Sequence, residues 1–444
     1  MSHSEKQDQE VSLRIRTDDV HHEDVFGDER GHDIQYKTLY WQFVSLLMIA
    51  EIVSNGMLSL PNAMAAVGIV PSLILTIFLG IFGLFTAKLL IDFKLHHPHV
   101  HNMGDAGHII FGTIGREILS AGTVIFAICG VGSVVLSGQL ALSVLSDSKL
   151  CAILLLLIFS AATFLLALPR TLGRLSWLAF FSVAAITLCG ILAMIGAGAN
   201  PVPGRTLKPT IPTTFFNAFL AITNPVFAYA AKRFFILISE MSRPQDAMKA
   251  AWALQTFSTV FYAVFSLVVY VYQGEDVASP ALLSLPPVWA KITSAVGLLN
   301  FLVAGALYAH TAAKLVFLRL FRHTRHLHSH TVLGWSTWVF LCFAAVAIAF
   351  VFAAGVPIFS DLIGISASLF ASWYTYGLAG FFWLHDTYYL GEGIISLKEK
   401  WAGTLLAVAT ILAGTFICVA GSYVSIKLIV DAYRGGLVGK PFTC

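Results

Sequence analysis

The chain has 444 residues; 57% are hydrophobic, 11% are charged and the formal net charge is +3. A soluble domain carries about a quarter charged residues. The apolar residues here come in long blocks that no soluble core could absorb, so lipid must solvate much of the surface. Lys and Arg are scattered through the polar stretches with no basic stripe, which gives no sign of a nucleic-acid partner.

Residues 1–36 are polar and rich in Asp, Glu, His and Arg. They lack the basic start and apolar run of a signal peptide, and they read as a disordered cytoplasmic tail. Eleven stretches then reach spanning length, since about 20 apolar residues cross the hydrocarbon core. They lie at roughly 40–65, 69–93, 117–144, 151–168, 175–197, 213–239, 251–273, 288–318, 333–354, 359–383 and 403–431. The fourth is short. Only a turn at Ala66, Val67 and Gly68 separates the first two. Residues 436–444 form a short C-terminal tail. With the N-terminus in the cytoplasm, sixteen of the 27 Lys and Arg fall in cytoplasmic segments and six on the other side, the asymmetry that orients membrane helices.

The cysteines are Cys129, Cys151, Cys189, Cys342, Cys418 and Cys444, with no CxxC spacing. They read as small packing residues rather than a disulfide framework or metal site. The stretch Arg319–His330 holds four His but no carboxylate or Cys to complete a metal shell, and it reads as a solvated loop. Neither a metal nor a cofactor is expected.

Two predicted helices break the apolar pattern in the same way. The first contains Glu51-Ile-Val-Ser-Asn-Gly-Met-Leu-Ser-Leu-Pro61, weakened by Gly56 and Pro61. The sixth contains Thr223-Asn-Pro-Val-Phe-Ala-Tyr-Ala-Ala-Lys-Arg233, where Pro225 removes a backbone donor. The two helices open blocks of similar length, at about 40–197 and 213–383. Paired breaks in corresponding helices point to a transporter built from inverted repeats. Unwound backbone survives at membrane depth only where it lines a cavity. Its free N–H groups can hold a carboxylate, and its free C=O groups an ammonium, so a zwitterionic amino acid suits such a site.

Ser54-Asn-Gly-Met-Leu-Ser-Leu-Pro61 resembles the first-helix signature of the amino acid/auxin permease family. Phe227-Ala-Tyr229, followed by Ile238-Ser-Glu-Met-Ser-Arg-Pro-Gln-Asp246, resembles its sixth-helix signature. Met48-Ile-Ala-Glu51 is most similar to the fungal neutral amino acid permease branch. The resemblance covers about 37–435. It implies an all-α membrane protein with a five-plus-five inverted-repeat core, the extra helix at 403–431, and interrupted helices one and six. It also implies proton symport of neutral amino acids, aromatic or large aliphatic, at a plasma membrane, with the vacuolar membrane left open by the sequence. Family members often continue the sixth-helix motif with small residues and a His; this chain has Ala230-Ala-Lys-Arg233, which leaves the substrate less defined.

Ser54, Asn55, Gly56 and Met57 are candidate substrate contacts on the first helix, mainly through their backbone. Thr223, Asn224, Phe227, Ala228 and Tyr229 are candidates on the sixth, with the aromatic rings covering the substrate side chain. Glu51 is a carboxylate inside a span, and such a group is a functional hypothesis by default. It is the first candidate for proton coupling, with Lys232 as a possible partner. His310, an imidazole of the residue type whose ordinary range lies near neutrality, shares a helix face with Lys314 and is the second candidate. Glu240, Arg243 and Asp246 read as either a gate of ion pairs or a solvated helix end. Sodium coupling and an amino acid sensor with little transport stay open as alternatives. No nucleophile–base arrangement or nucleotide loop marks an enzyme.

Overall fold

A bilayer core offers no water to backbone polar groups, so spans of this kind must be helical. A computed structural model describes residues 34–230, 234–322, 324–356 and 358–435. Lys232 and Arg233 lie outside them. The helices are α1 (Trp41–Val67), α2 (Ile69–His96), α3 (Met103–Leu145), α4 (Ala152–Ala167), α5 (Leu172–Ala199), α6 (Phe215–Ala228), α7 (Phe234–Ser239), α8 (Ala247–Gln273), α9 (Pro287–Phe321), α10 (Val332–Gly355), α11 (Phe359–Ser366), α12 (Leu378–Tyr389) and α13 (Trp401–Arg434). Among the described residues, eight helices are long and apolar enough to cross a membrane. The remaining crossings are α4, the α6–α7 pair and the run from α11 to α12, which gives the eleven expected.

The core sits around α1. Its apolar window is 89% buried, against 17% for α13, so α1 is central and α13 peripheral. Helix α1 packs on α5, α6 and α8, while α9 packs on α3 and α5. On α13, Leu412, Phe416, Val419 and Tyr423 recur at three- and four-residue intervals and are exposed, a stripe that lipid must cover.

Four features differ from the sequence reading. Helix α1 is continuous through the expected interruption, with Pro61 inside it. The sixth helix does break: α6 ends at Ala228, and helix resumes at Phe234. Between α11 and α12, Ala367–Gly377 winds as a π-helix of 11 residues, a form that is rare and frequent at functional sites. Helix α3 starts well before 117, with non-helical backbone at Gly112 marking where a leading piece joins the span. Cys129, Cys189, Cys342 and Cys418 are free thiols, as packing residues should be. Cys151 is disulfide-bonded, which corrects the expectation there.

The α1–α2 turn rests on one residue. Gly68 has φ 95°, and a Cβ there would lie 2.6 Å from Thr210 Cα and 2.7 Å from the Pro209 oxygen. The chain beyond α5 folds across this turn, with Ile69 N–H donating to Lys208 O, Val70 to Pro209 O, and Ile211 to Val67 O. Gly68→Ala meets both a left-handed backbone and backbone atoms that cannot rotate away. We expect a loss of about 2 kcal/mol or more, read as a lower melting temperature in detergent. An unchanged melt would show that the crossing segment moves aside freely.

Candidate functional site

The two motif segments predicted from sequence meet where α1 crosses the end of α6. A Cβ on Gly56 would lie 3.0 Å from Ala228 Cβ, 3.1 Å from Ala228 Cα and 2.6 Å from Tyr262 Oη. Only a glycine lets the two backbones come this close. Tyr262, on α8, is fully buried. Its hydroxyl lies 3.0 Å from Ala228 O and 3.2 Å from Ile52 O. One phenolic proton serves two carbonyls, so Tyr262 clasps α1 to the C-terminus of α6.

Ile52 is not alone in accepting from a side chain. Asn300 Nδ2 donates to Ala50 O at 2.9 Å and to Ser182 Oγ at 2.9 Å. Tyr308 Oη donates to Glu51 O at 3.3 Å. Three consecutive carbonyls of α1 thus take donors from α8 and α9. A carbonyl has two lone pairs, so these contacts coexist with the helix and would still hold the carbonyls if it opened. Further along, Ser59 Oγ donates back to Gly56 O at 3.0 Å, near the gap that Pro61 leaves in the ladder. The weak point read from sequence is therefore present, but its carbonyls are supported from outside and the helix stays intact.

The candidate residues divide by what they touch. Asn55 turns toward α3: its Nδ2 donates to Ser133 Oγ at 3.1 Å, and its Oδ1 accepts from Ser137 Oγ at 2.8 Å. Met57 and Phe227 are buried. Thr223 Oγ1 donates within its own helix to Leu220 O. Tyr229 Oη donates to Thr259 Oγ1 at 3.2 Å, and its ring meets Tyr262 edge-on at 5.3 Å. Ser54 Oγ and both side-chain polar atoms of Asn224 are buried with no partner among the described residues. Buried polar groups are nearly always paired, and each exception needs a reason.

Two of the coupling candidates, Glu51 and His310, lie on different helices, the first with Tyr308 and the second with Arg170 as a neighbour. Glu51 is buried in α1 at 3% exposure. His310 is fully buried, with Nε2 3.3 Å from Arg170 O and its ring edge-on to Trp338 of α10. Residues two apart on a helix point about 200° apart, so Tyr308 reaches toward α1 while His310 faces away. Lys232 lies outside the described residues.

The end of the bundle that carries the N-terminal segment is closed by buried charge. Lys314 Nζ lies 2.6 Å from Glu240 Oε1, with side chains 2% and 1% exposed, joining α9 to the end of α7. Residues 34–40 run beneath this pair as a strap. Leu39 N–H donates to Glu240 O, and Ser242 N–H to Leu39 O. Tyr36 Oη donates to Leu327 O, and its ring lies 4.4 Å from the Lys314 ammonium. Of the three acidic and basic residues read as a gate, Glu240 is thus an interior partner. Asp246 pairs with exposed Lys249. Between α2 and α3, burial holds the His101 imidazole well below its usual range. At the opposite end, hydrogen bonds from Thr206 and Lys208 hold the exposed Glu275 carboxyl below its usual range.

Tyr262, Asn300 and Tyr308 were not singled out from sequence. Asn300, polar within an apolar span, was the readable one. The two tyrosines look like packing residues until their carbonyl partners are seen.

Residues 37–427 match the family described as transmembrane amino acid transporter protein. The chain belongs to this family. Over 427 residues the transporter is 29% identical to the N amino acid transport system protein of Neurospora crassa, covering 94% of this chain and 90% of that one. It is 26% identical to a transmembrane transporter of Gibberella moniliformis, at 94% and 89% coverage. Among solved structures it resembles MhsT in complex with L-phenylalanine, with a TM-score of 0.56 at 13% identity over 90% of this chain and 100% of that one. It also resembles a Na+-coupled sialic acid symporter in an outward-open state, with a TM-score of 0.56 at 10% identity and coverages of 88% and 92%. At such identities the structural likeness speaks for the fold alone, which is that of inverted-repeat transporters.

Proposed function

We propose that this transporter imports neutral amino acids, aromatic or large aliphatic, by proton symport with alternating access. It acts at the plasma membrane with its N-terminus in the cytoplasm. The observation that carries the reading is the crossing of α1 and α6. There Gly56 packs against Ala228 with no room for a side chain of its own, and the adjoining Ser54 and Asn224 bury polar atoms that have no partner among the described residues. A zwitterion bound there would supply the partners those atoms lack. Phe227 and Tyr229 are the apolar wall beside it. Movement of α1, α2, α6–α7 and α8 against the remaining helices would expose the crossing to each side in turn.

Two features favour protons over sodium. A sodium cage needs carbonyl oxygens without donors, and Ala50, Ile52 and Glu51 already accept from Asn300, Tyr262 and Tyr308. Glu51 adds a carboxyl buried beside them, a group suited to carrying a proton through a low-dielectric region.

Uptake of labelled phenylalanine, leucine and alanine, at acidic and neutral external pH, with and without sodium and a protonophore, tests the proposal. Uptake is expected to rise in acid, ignore sodium and collapse with protonophore. Glu51→Gln should reach the surface and still exchange labelled for unlabelled substrate, yet lose most of its acid-driven accumulation. Sodium dependence would sink the proton reading. Surface expression without uptake of any substrate would sink the substrate class.

A further inference from the structure

Away from the crossing, three imidazoles converge on one carboxylate. His96 and His97 end α2, and His385 and Asp386 lie near the end of α12. His97 Nε2 is 3.0 Å from Asp386 Oδ1, His385 Nδ1 is 3.2 Å from the same oxygen, and His96 Nδ1 is 2.8 Å from Oδ2. The ligating atoms of His97, His385 and Asp386 all lie within 4.8 Å of one another. We propose that this cluster is a binding site for a zinc-class divalent transition metal, linking α2 to α12.

Zinc holds nitrogen and oxygen ligands at about 2.0–2.2 Å in a tetrahedron, which places neighbouring ligand atoms about 3.4 Å apart. The His97 and His385 nitrogens already sit near that distance from Asp386 Oδ1. Only the His97–His385 edge, at most 4.8 Å long, remains to tighten. The fourth position falls to His96, whose side chain is half exposed, or to water. Imidazole and carboxylate together suit zinc and its neighbours in the first transition row, and do not suit calcium or magnesium, which take oxygen.

The rings are held from outside, as metal-binding imidazoles are. His97 packs on Phe93 with ring centroids 4.5 Å apart. His385 lies between Phe93 and Tyr389, at 6.0 and 4.6 Å. The ligands are only partly buried, and a cavity of about 270 Å³, lined by Asp92, His96, Trp383, Asp386, Thr387 and Lys400, gives an ion a way in. Hydrogen bonds from the imidazoles to Asp386 describe the same atoms before a metal replaces the ring protons. Positions 97 and 386 are 289 residues apart, so no motif spacing announces the site. This inference contradicts the reading of the sequence as metal-free, and it does not depend on what is transported.

The test uses the full chain, purified in detergent without a polyhistidine tag and dialysed against zinc. The wild type is expected to retain one zinc per chain, to melt at a higher temperature with zinc, and to give the intense visible absorption of tetrahedral cobalt when cobalt replaces it. His97→Gln and His385→Gln, each of which keeps a hydrogen-bond donor for Asp386, should lose all three signals while eluting as folded monodisperse protein. Replacing His326, His328 and His330 together with Ala should change none of them. Zinc retained equally by both Gln variants, lost with the loop histidines, or absent from the wild type would overturn the proposal. So would a weak octahedral cobalt spectrum.

Discussion

Lys314→Met is expected to destabilise this transporter more than any surface change, by about 3–5 kcal/mol. The substitution leaves the Glu240 carboxylate beside a thioether in a site where both side chains are at most 2% exposed. A buried charge that loses its partner keeps its desolvation penalty and loses the attraction that offset it. Glu240→Leu should do similar damage from the other side. The double variant Lys314→Met/Glu240→Leu is the informative one. It removes both charges together and fills the space with apolar groups, which for buried pairs is often neutral or stabilising. It should therefore melt well above either single variant. Its transport need not recover, because the pair ties α9 to the end of α7, the two bodies that alternating access would separate. Melting curves in detergent with surface-matched uptake separate the two effects. A double variant as unstable as the worse single one would mean that the two side chains act through other neighbours.

Much of this arrangement was legible in the sequence because lipid imposes strict rules. Eleven apolar blocks became eleven crossings, since a backbone in hydrocarbon has few options. Even the tight turn at Gly68 could be read, because too few residues separate the first two blocks for anything longer. A break in the sixth helix was legible from its irregular pattern, although Pro225 itself sits inside α6 and the helix ends three residues later at Ala228. What escaped depends on contacts between distant positions. Tyr262, Asn300 and Tyr308 reach the carbonyls of α1 from α8 and α9 while the helix stays continuous. Their effect cannot be inferred from the local pattern around Gly56. Asn55 is read from sequence as a substrate contact through its backbone; that its side chain is engaged by Ser133 and Ser137 on α3 has no trace in the local pattern. His310 and Glu51 share the property of being ionisable in an apolar span, but on α9 it is Tyr308 that reaches Glu51 O, while His310, two residues on, meets Trp338. The π-helical stretch at Ala367–Gly377 leaves no trace in composition.

Gly56→Ala should abolish most uptake without unfolding the protein. The added methyl would sit 2.6 Å from Tyr262 Oη and 3.0–3.1 Å from Ala228. One of these contacts is backbone, and the hydroxyl is held by two carbonyls, so neither yields easily. Forcing a methyl into such a contact costs about 1–3 kcal/mol. If α1 and α6 must close on each other during transport, that strain falls on the closed state, and uptake should drop about tenfold or more. Tyr262→Phe separates the two sources of strain. Alone, it frees the carbonyls of Ile52 and Ala228 and should slow uptake by weakening the clasp. Combined with Gly56→Ala, it removes the nearest clashing atom. The pair is then expected to be less impaired than the two single losses multiplied together, the non-additivity that contact between two sites produces. Multiplicative losses would place the methyl's effect on Ala228 alone, and the meeting of the two backbones would become the element on which transport depends. Normal uptake by Gly56→Ala would show that the helices never need this approach, and the crossing would then be a packing contact rather than the substrate site.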